Sequence, residues 1–204
     1  MTSDREVGPL AEGNVLRMFI AITLPDEVRR GIADFQREWQ SGLRGNFIRW
    51  TPVEQIHLTL RFLGDVSSTA FPQLEAALCR ACDGVAGFEL GAAGSGCFPD
   101  SRKPRVLWVG VSGDVDALAR LQWRITDETR AWGEVETRDF RAHLTLGRIK
   151  EAPGTVAREI AQRARAMNCG KLGRWRVGEV LLMRSELSPA GARHSELSRH
   201  KLQA

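Results

Sequence analysis

His57-Leu58-Thr59-Leu60 recurs residue for residue as His143-Leu144-Thr145-Leu146. The chain has 204 residues and four histidines, and two of those four open the same tetrapeptide, so the pair reads as an internal repeat. In an extended strand alternate side chains share a face. Each copy therefore directs its histidine and threonine to one side and two leucines to the other. Two such strands brought side by side would surround a small anion with two imidazoles and two hydroxyls, and bury four leucines behind them.

Outward from the repeat, the order of elements suggests two similar halves. Leu16 to Ile22 is a short apolar run of strand length that stops at Leu24-Pro25. Pro25 is suited to open a helix with Asp26 and Glu27 in its first turn, where the dipole favours negative charge. Val28, Ile32, Phe35 and Trp39 recur at helical spacing until Ser41-Gly42. A short strand around Phe47 to Trp50 precedes the first repeat, which continues to Gly64. Thr69 to Cys82 predicts a helix and Phe88 to Ala92 a strand, while residues 94 to 105, rich in turn formers, predict a loop. Val106 to Val111 predicts a buried strand, and Val115 to Trp132 a helix with Leu118, Leu121 and Ile125 on one face. The second repeat lies in Phe140 to Ile149, followed by a helix over Thr155 to Met167, a strand over Val177 to Glu186, a turn at Ser188 to Gly191 and an edge strand within 192 to 202.

The fold class expected is α+β: two pseudo-symmetric lobes, each a mainly antiparallel sheet with helices on its outer face, around a central cleft. Met1 to Val15 is polar and aperiodic and is expected to be a disordered leader. Residues 16–204 would form a single bilobal domain.

Composition sets the class. Hydrophobic residues make up 43% and charged residues 26%, ordinary for a soluble globular chain, and the net charge of +4 leans toward an anionic partner. A solvated surface nonetheless accounts for most arginines in any protein. No apolar run approaches the ~20 residues of a membrane helix, and the N-terminus lacks a signal-peptide layout, so a cytoplasmic monomer without membrane association is expected. Cys79, Cys82, Cys97 and Cys169 complete no patterned ligand set, and reduced thiols fit them better than zinc or a disulfide. No metal or cofactor is expected.

The chain resembles the 2H phosphoesterase superfamily, whose hallmark is a pair of His-x-Thr-x motifs. Further segments are similar to its bacterial RNA 2′,3′-cyclic phosphodiesterase branch, also called the 2′-5′ RNA ligase family. They are MFIAITLP at 18–25, HLTLRFLG at 57–64, PRVLWVGV at 104–111, HLTLGR at 143–148 and LLMRSELSPAGA at 181–192. Ala142 stands where the family usually has proline, and His194 where tyrosine is usual. The resemblance implies hydrolysis of RNA 2′,3′-cyclic phosphate termini to 2′-phosphomonoesters, with reverse 2′-5′ ligation of RNA ends implied by the family's name. It also implies His143 as proton acceptor, His57 as proton donor, Thr59 and Thr145 as phosphate ligands and Arg148 as an assisting cation. The substrates would be RNA ends or cyclic nucleotides. A non-catalytic RNA-end-binding module of the same fold is the alternative, although such a module has no need of both histidines and both threonines.

The chemistry stands without the resemblance. Opening a cyclic phosphodiester needs a base for water on one side of phosphorus and an acid for the departing oxygen on the other, and imidazole, with its pKa near ~6.5, serves as either. The threonines can donate hydrogen bonds to the non-bridging oxygens, and an arginine can offset their charge.

Strand parity leaves that arginine open. Counting by twos selects Arg141 from His143 and Arg61 from His57, whereas Arg148 needs a bulge at Gly147 to turn it inward. Among aromatics that could stack on a base, Trp50, Phe62, Phe98, Trp108 and Trp175 are candidates. Phe98 is preferred, because Phe62 shares the parity of Leu58 and Leu60 and so reads as core. Trp39, Trp123 and Trp132 are expected to pack in helices. His194 and His200 are expected at the surface.

Overall fold

The two copies of the repeat are neighbours in one sheet: β3 (His57–Ser67) and β6 (His143–Ile149) run antiparallel with Leu58 opposite Leu144. The computed structural model describes residues 14–43, 45–99, 103–134, 139–167, 169–188 and 191–204. The expected leader, apart from Asn14 and Val15, lies outside the described residues; Val15 already opens the first strand.

Around the central pair stand β1 (Val15–Thr23), β8 (Glu179–Ser188) and β9 (Gly191–Lys201) beyond β3, and β5 (Val106–Gly113), β4 (Phe88–Phe98) and β7 (Lys171–Val177) beyond β6. The order is β7-β4-β5-β6-β3-β1-β8-β9, with the three-residue β2 (Ile48–Trp50) paired to β6. All named strand pairings are antiparallel. Four strands thus lie on each side of a pseudo-two-fold axis between the repeats. The expected pair of lobes is present, as two halves of one continuous sheet joined through β3 and β6.

The helices cover the outer face, and the lobes exchange them. α1 (Asp26–Ser41) leaves β1 but packs on β7, while α3 (Val115–Glu128) leaves β5 but packs on β3. α2 (Phe71–Cys82) and α4 (Gly154–Ala166) stay with their own lobes, on β9 and β4. The α1 face read from sequence, Val28, Ile32, Phe35 and Trp39, is buried, as are Leu118, Leu121 and Ile125 of α3. Leu58, Leu60, Leu144 and Leu146 join the same apolar cluster. Burying a leucine stabilises by about 1.5–3 kcal/mol relative to exposure, so the leucine half of each repeat holds its strand to the helices.

Irregularities of register in β3 and β6 decide which side chains face away from the helices. In β3, Thr59 pairs with Ala21 and Arg61 with Ile20, so Leu60 is an extra residue, and a second shift follows at Leu63. In β6, Thr145 pairs with Trp108 and Gly147 with Leu107, so Leu146 is the extra residue. A bulge inverts alternation beyond it.

Several expectations need correction. Residues 94–98 continue β4, so the loop is shorter than its glycines and serine suggest. β7 was not anticipated, because KLGRWRV lacks a sustained apolar period. α3 stops at Glu128, where Thr129 and Trp132 close a turn. Trp123 is 66% exposed on α3 and packs no core. The four cysteines are free thiols.

Candidate active site

Both repeat histidines are anchored alike. The Nδ1–H of His57 donates to the carbonyl of Gln55 at 2.7 Å, and that of His143 to the carbonyl of Arg141 at 2.7 Å. Each bond runs from a strand's first residue to the carbonyl two residues earlier. Bonding at Nδ1 fixes the tautomer and leaves Nε2 as the nitrogen available to a ligand. With Leu58 opposite Leu144, the antiparallel register sets His57 beside Thr145 and His143 beside Thr59. The two imidazoles then lie on one diagonal of the sheet face, about 7–8 Å apart at the backbone. Among the described residues, no protein group bonds the Thr59 or Thr145 hydroxyl.

The histidines differ in what surrounds them. His57 stacks on Phe19 of β1, ring centroids 4.8 Å apart, and meets the ring of His194 on β9 edge-on at 5.2 Å. Burial pushes the His57 imidazole down to about 4; the Gln55 carbonyl opposes this, and His194 and then His143 add like-charge repulsion. His143 meets Phe98 edge-on at 5.0 Å, and Phe98 lies 5.2 Å from Trp108. The Trp108 indole lies over Gly96, where a Cβ would overlap it.

The bulges assign the arginines. Beyond Leu60, Arg61 turns toward the helices: it is 7% exposed and donates to the carbonyls of Trp132, Thr126 and Thr129 at 2.9, 3.3 and 3.5 Å, tying the end of α3 to the sheet. Arg61 is therefore excluded from the cleft, contrary to its parity in the sequence. Phe62 takes the cleft face instead, 64% exposed and 6.1 Å from Phe19, so its reading as core is also corrected. Beyond Leu146 the same inversion turns Arg148 onto the face of Thr145. Gly147 permits this, since a Cβ there would lie 2.8 Å from Ile48 Cγ2 and 2.9 Å from the Arg49 carbonyl. Arg141 is exposed just before β6 and contributes its carbonyl to His143.

Three residues near the repeats were missed. Phe19 sits within an apolar strand and gave no signal of a second role. Arg49, in the strand before the first repeat, lies directly opposite Arg148 on the same face. This register sets two cationic residues side by side in the sheet, a charge pattern that suits an anion. His194, expected at the surface, is partly buried against Phe19 and His57, and burial lowers its pKa. His200 is 6% exposed, bonded to Ser198 Oγ at 3.0 Å and near Cys79 Sγ at 3.4 Å, so it too leaves the surface. Trp175 is 5% exposed and Trp50 packs toward Trp39, which removes both as cleft aromatics. Among the described residues, no group of three or more histidine, cysteine or carboxylate side chains could hold a metal ion.

A phosphoesterase family model described as LigT-like matches twice, at residues 22–108 and 109–194, each match holding one copy of the repeat. The chain belongs to the LigT-like phosphoesterase family. Its membership in that branch of the 2H phosphoesterase superfamily accords with relatives named RNA 2′,3′-cyclic phosphodiesterase. One from Archaeoglobus fulgidus is 30% identical over 89% of this chain and 98% of its own length. Another from Methanothermobacter thermautotrophicus is 31% identical over 92% and 99%. A crystal structure of a Thermus thermophilus protein superimposes with a TM-score of 0.75 at 26% identity, covering 92% of this chain and 98% of that one. Escherichia coli LigT complexed with 3′-AMP superimposes with a TM-score of 0.74 at 26% identity, covering 94% and 100%. Within the described residues no helix is long and apolar enough to cross a membrane, a statement that does not extend to strands.

Proposed function

We propose that this LigT-like phosphoesterase hydrolyses RNA 2′,3′-cyclic phosphate termini to 2′-phosphomonoesters, with His143 as proton acceptor and His57 as proton donor. The observation that carries the reading is the matched anchoring of both Nδ1 atoms, which presents two Nε2 atoms on one sheet face beside two threonine hydroxyls. In-line displacement needs one such nitrogen on each side of phosphorus.

In this reading Nε2 of His143 takes a proton from water as the water oxygen attacks phosphorus. The P–O3′ bond breaks, and Nε2–H of His57 delivers a proton to the departing 3′ oxygen. Thr59 and Thr145 donate to the non-bridging oxygens, and Arg148, joined by Arg49, offsets their charge. His57 in the free enzyme is neutral well into the acid range. Donation therefore requires that it gain a proton as the anionic phosphate docks, because a nearby negative charge favours imidazolium. Ligation follows the same path with the 5′-hydroxyl of a second RNA end in place of water, and uses the same two nitrogens.

Phosphorus NMR of a digested RNA ending in a 2′,3′-cyclic phosphate tests the reading. The expected product is the 2′-phosphate alone. A 3′-phosphate would mean that the substrate sits reversed between the histidines, and no turnover would reject the activity.

A further inference from the structure

His194 stands outside the repeat and outside the mechanism above, yet its ring completes a triangle with Phe19 and His57. The three centroid separations are 4.8 Å for Phe19–His57, 4.9 Å for Phe19–His194 and 5.2 Å for His57–His194. Phe19 stacks near-parallel on His57, at 30°, whereas His194 meets both rings by its edge, at 75° and 89°. An edge set against aromatic faces is the favoured geometry for such rings. The Nδ1 of His194 is buried without a hydrogen-bond partner, so its setting is ring against ring.

Resting on the proposed function, we propose that His194 is a positioning residue for His57: from β9 it packs against the flank of the Phe19–His57 stack and so holds the donor imidazole in one plane. The Gln55 carbonyl fixes one atom of the His57 ring, but a single hydrogen bond leaves the ring free to swing about it. Phe19 blocks that swing on one face, and His194, in contact with both rings, blocks it at the flank of the stack. His143 obtains the same service from Phe98, also edge-on, at 5.0 Å. Each half of the site thus holds its imidazole with one carbonyl and one ring edge, but the edge beside His57 belongs to a group that titrates.

That difference has an electrical consequence. The charged groups whose fields reach His57 are His194 from β9 and His143 from β6, while β1 presents the neutral Phe19. Facing His194 across β8 is the neutral Ser185, flanked by the ion pair of Arg184 and Glu186 at 2.9 Å. On β9 itself Glu196 is held by Arg199 at 2.9 Å. Protonated His194 therefore disfavours a proton on His57, and the two imidazoles titrate as a coupled pair. A docked phosphate, by adding negative charge, lets both hold a proton.

His194→Phe and His194→Ala separate the ring from its charge, read out by the pH titration of His57 in NMR and by kcat and KM on a 2′,3′-cyclic phosphate. With Phe, the ring edge stays and the charge goes. The His57 titration should move up from its wild-type position toward the ordinary histidine value, with kcat near neutral pH within about threefold of wild type. With Ala, the stop is lost as well, and kcat should fall about tenfold or more with KM little changed, since a misplaced acid costs rate rather than binding. An unchanged His57 titration in His194→Phe, or a loss in His194→Ala confined to KM, overturns the proposal. Should His194→Ala not fold, the Phe variant alone carries the test. The titration needs no turnover, so its outcome stands even if the cyclic phosphate is not the substrate.

Discussion

Arg61 and Arg148 occupy matched neighbourhoods in the two repeats, and the fold assigns them opposite duties that one pair of variants can separate. In Arg61→Ala, the carbonyls of Trp132 and Thr126 lose charged donors at 2.9 and 3.3 Å, and Thr129 loses a marginal one at 3.5 Å. Hydrogen bonds from a charged group contribute about 1.5–3 kcal/mol each, so the first two amount to about 3–6 kcal/mol. Water can reach the truncated site from the exposed side of the turn, which favours the lower end, about 3 kcal/mol. For a chain of this size that lowers Tm by about 6–12 °C. Turnover per folded molecule at a temperature well below Tm should stay within about twofold of wild type. Arg148→Ala should do the reverse: its side chain is exposed, so Tm should shift by no more than a degree or two. Its loss of a charged contact to phosphate should lower kcat/KM by about 10- to 150-fold. Differential scanning calorimetry and steady-state kinetics on the two purified variants measure both quantities. Arg61→Ala with unchanged Tm and impaired turnover would refute the bulge-based assignment.

The remaining predictions follow from the same geometry. Replacing Thr59 or Thr145 by Val should cost about 10- to 150-fold in kcat/KM with little change in Tm, measured by the same pair of assays. Gly147→Val should destabilise by about 1–3 kcal/mol in urea titrations, because the new side chain meets Ile48 and the Arg49 backbone, and should also lower turnover by displacing Arg148. The His57 imidazole titrates near 4 in the fold against 6.5 unfolded, so its neutral form favours the native state. Stability from this group is complete above about pH 6.5 and is lost as pH falls toward 4, by up to about 3 kcal/mol. Chemical denaturation of His57→Phe should show a correspondingly shallower loss between those pH values. Chelation by EDTA should leave the rate unchanged, measured on the same cyclic-phosphate substrate.

Much of this was legible in the sequence because period and chemistry agreed. The repeat alone places His57, Thr59, His143 and Thr145 on one face and four leucines on the other, and the register of Leu58 with Leu144 brings those faces together. What failed was parity carried too far along a strand. Counting by twos holds only while the ladder is regular, and the extra residues Leu60 and Leu146 invert it. That inversion sends Arg61 to the helices, Phe62 to the cleft and Arg148 to the face of Thr145. Gly147 gave a local hint of the second bulge; nothing in Leu60 or its neighbours signals the first. β7 escaped notice because Lys171, Arg174 and Arg176 interrupt its apolar positions, as befits a strand at the sheet's edge. His194 and His200 were misplaced for another reason. Closeness to a chain end says little about burial when the last strand packs beside β8 and under α2.

Hydrolysis of an RNA ending in a 2′,3′-cyclic phosphate by wild type, His57→Ala and His143→Ala, followed at enzyme excess so that product release does not limit the rate, tests the paired-imidazole account most directly. Removal of either the acid or the base should lower the rate constant by about 10²- to 10⁴-fold, with all three proteins equally folded by circular dichroism. Either variant turning over within tenfold of wild type would contradict it.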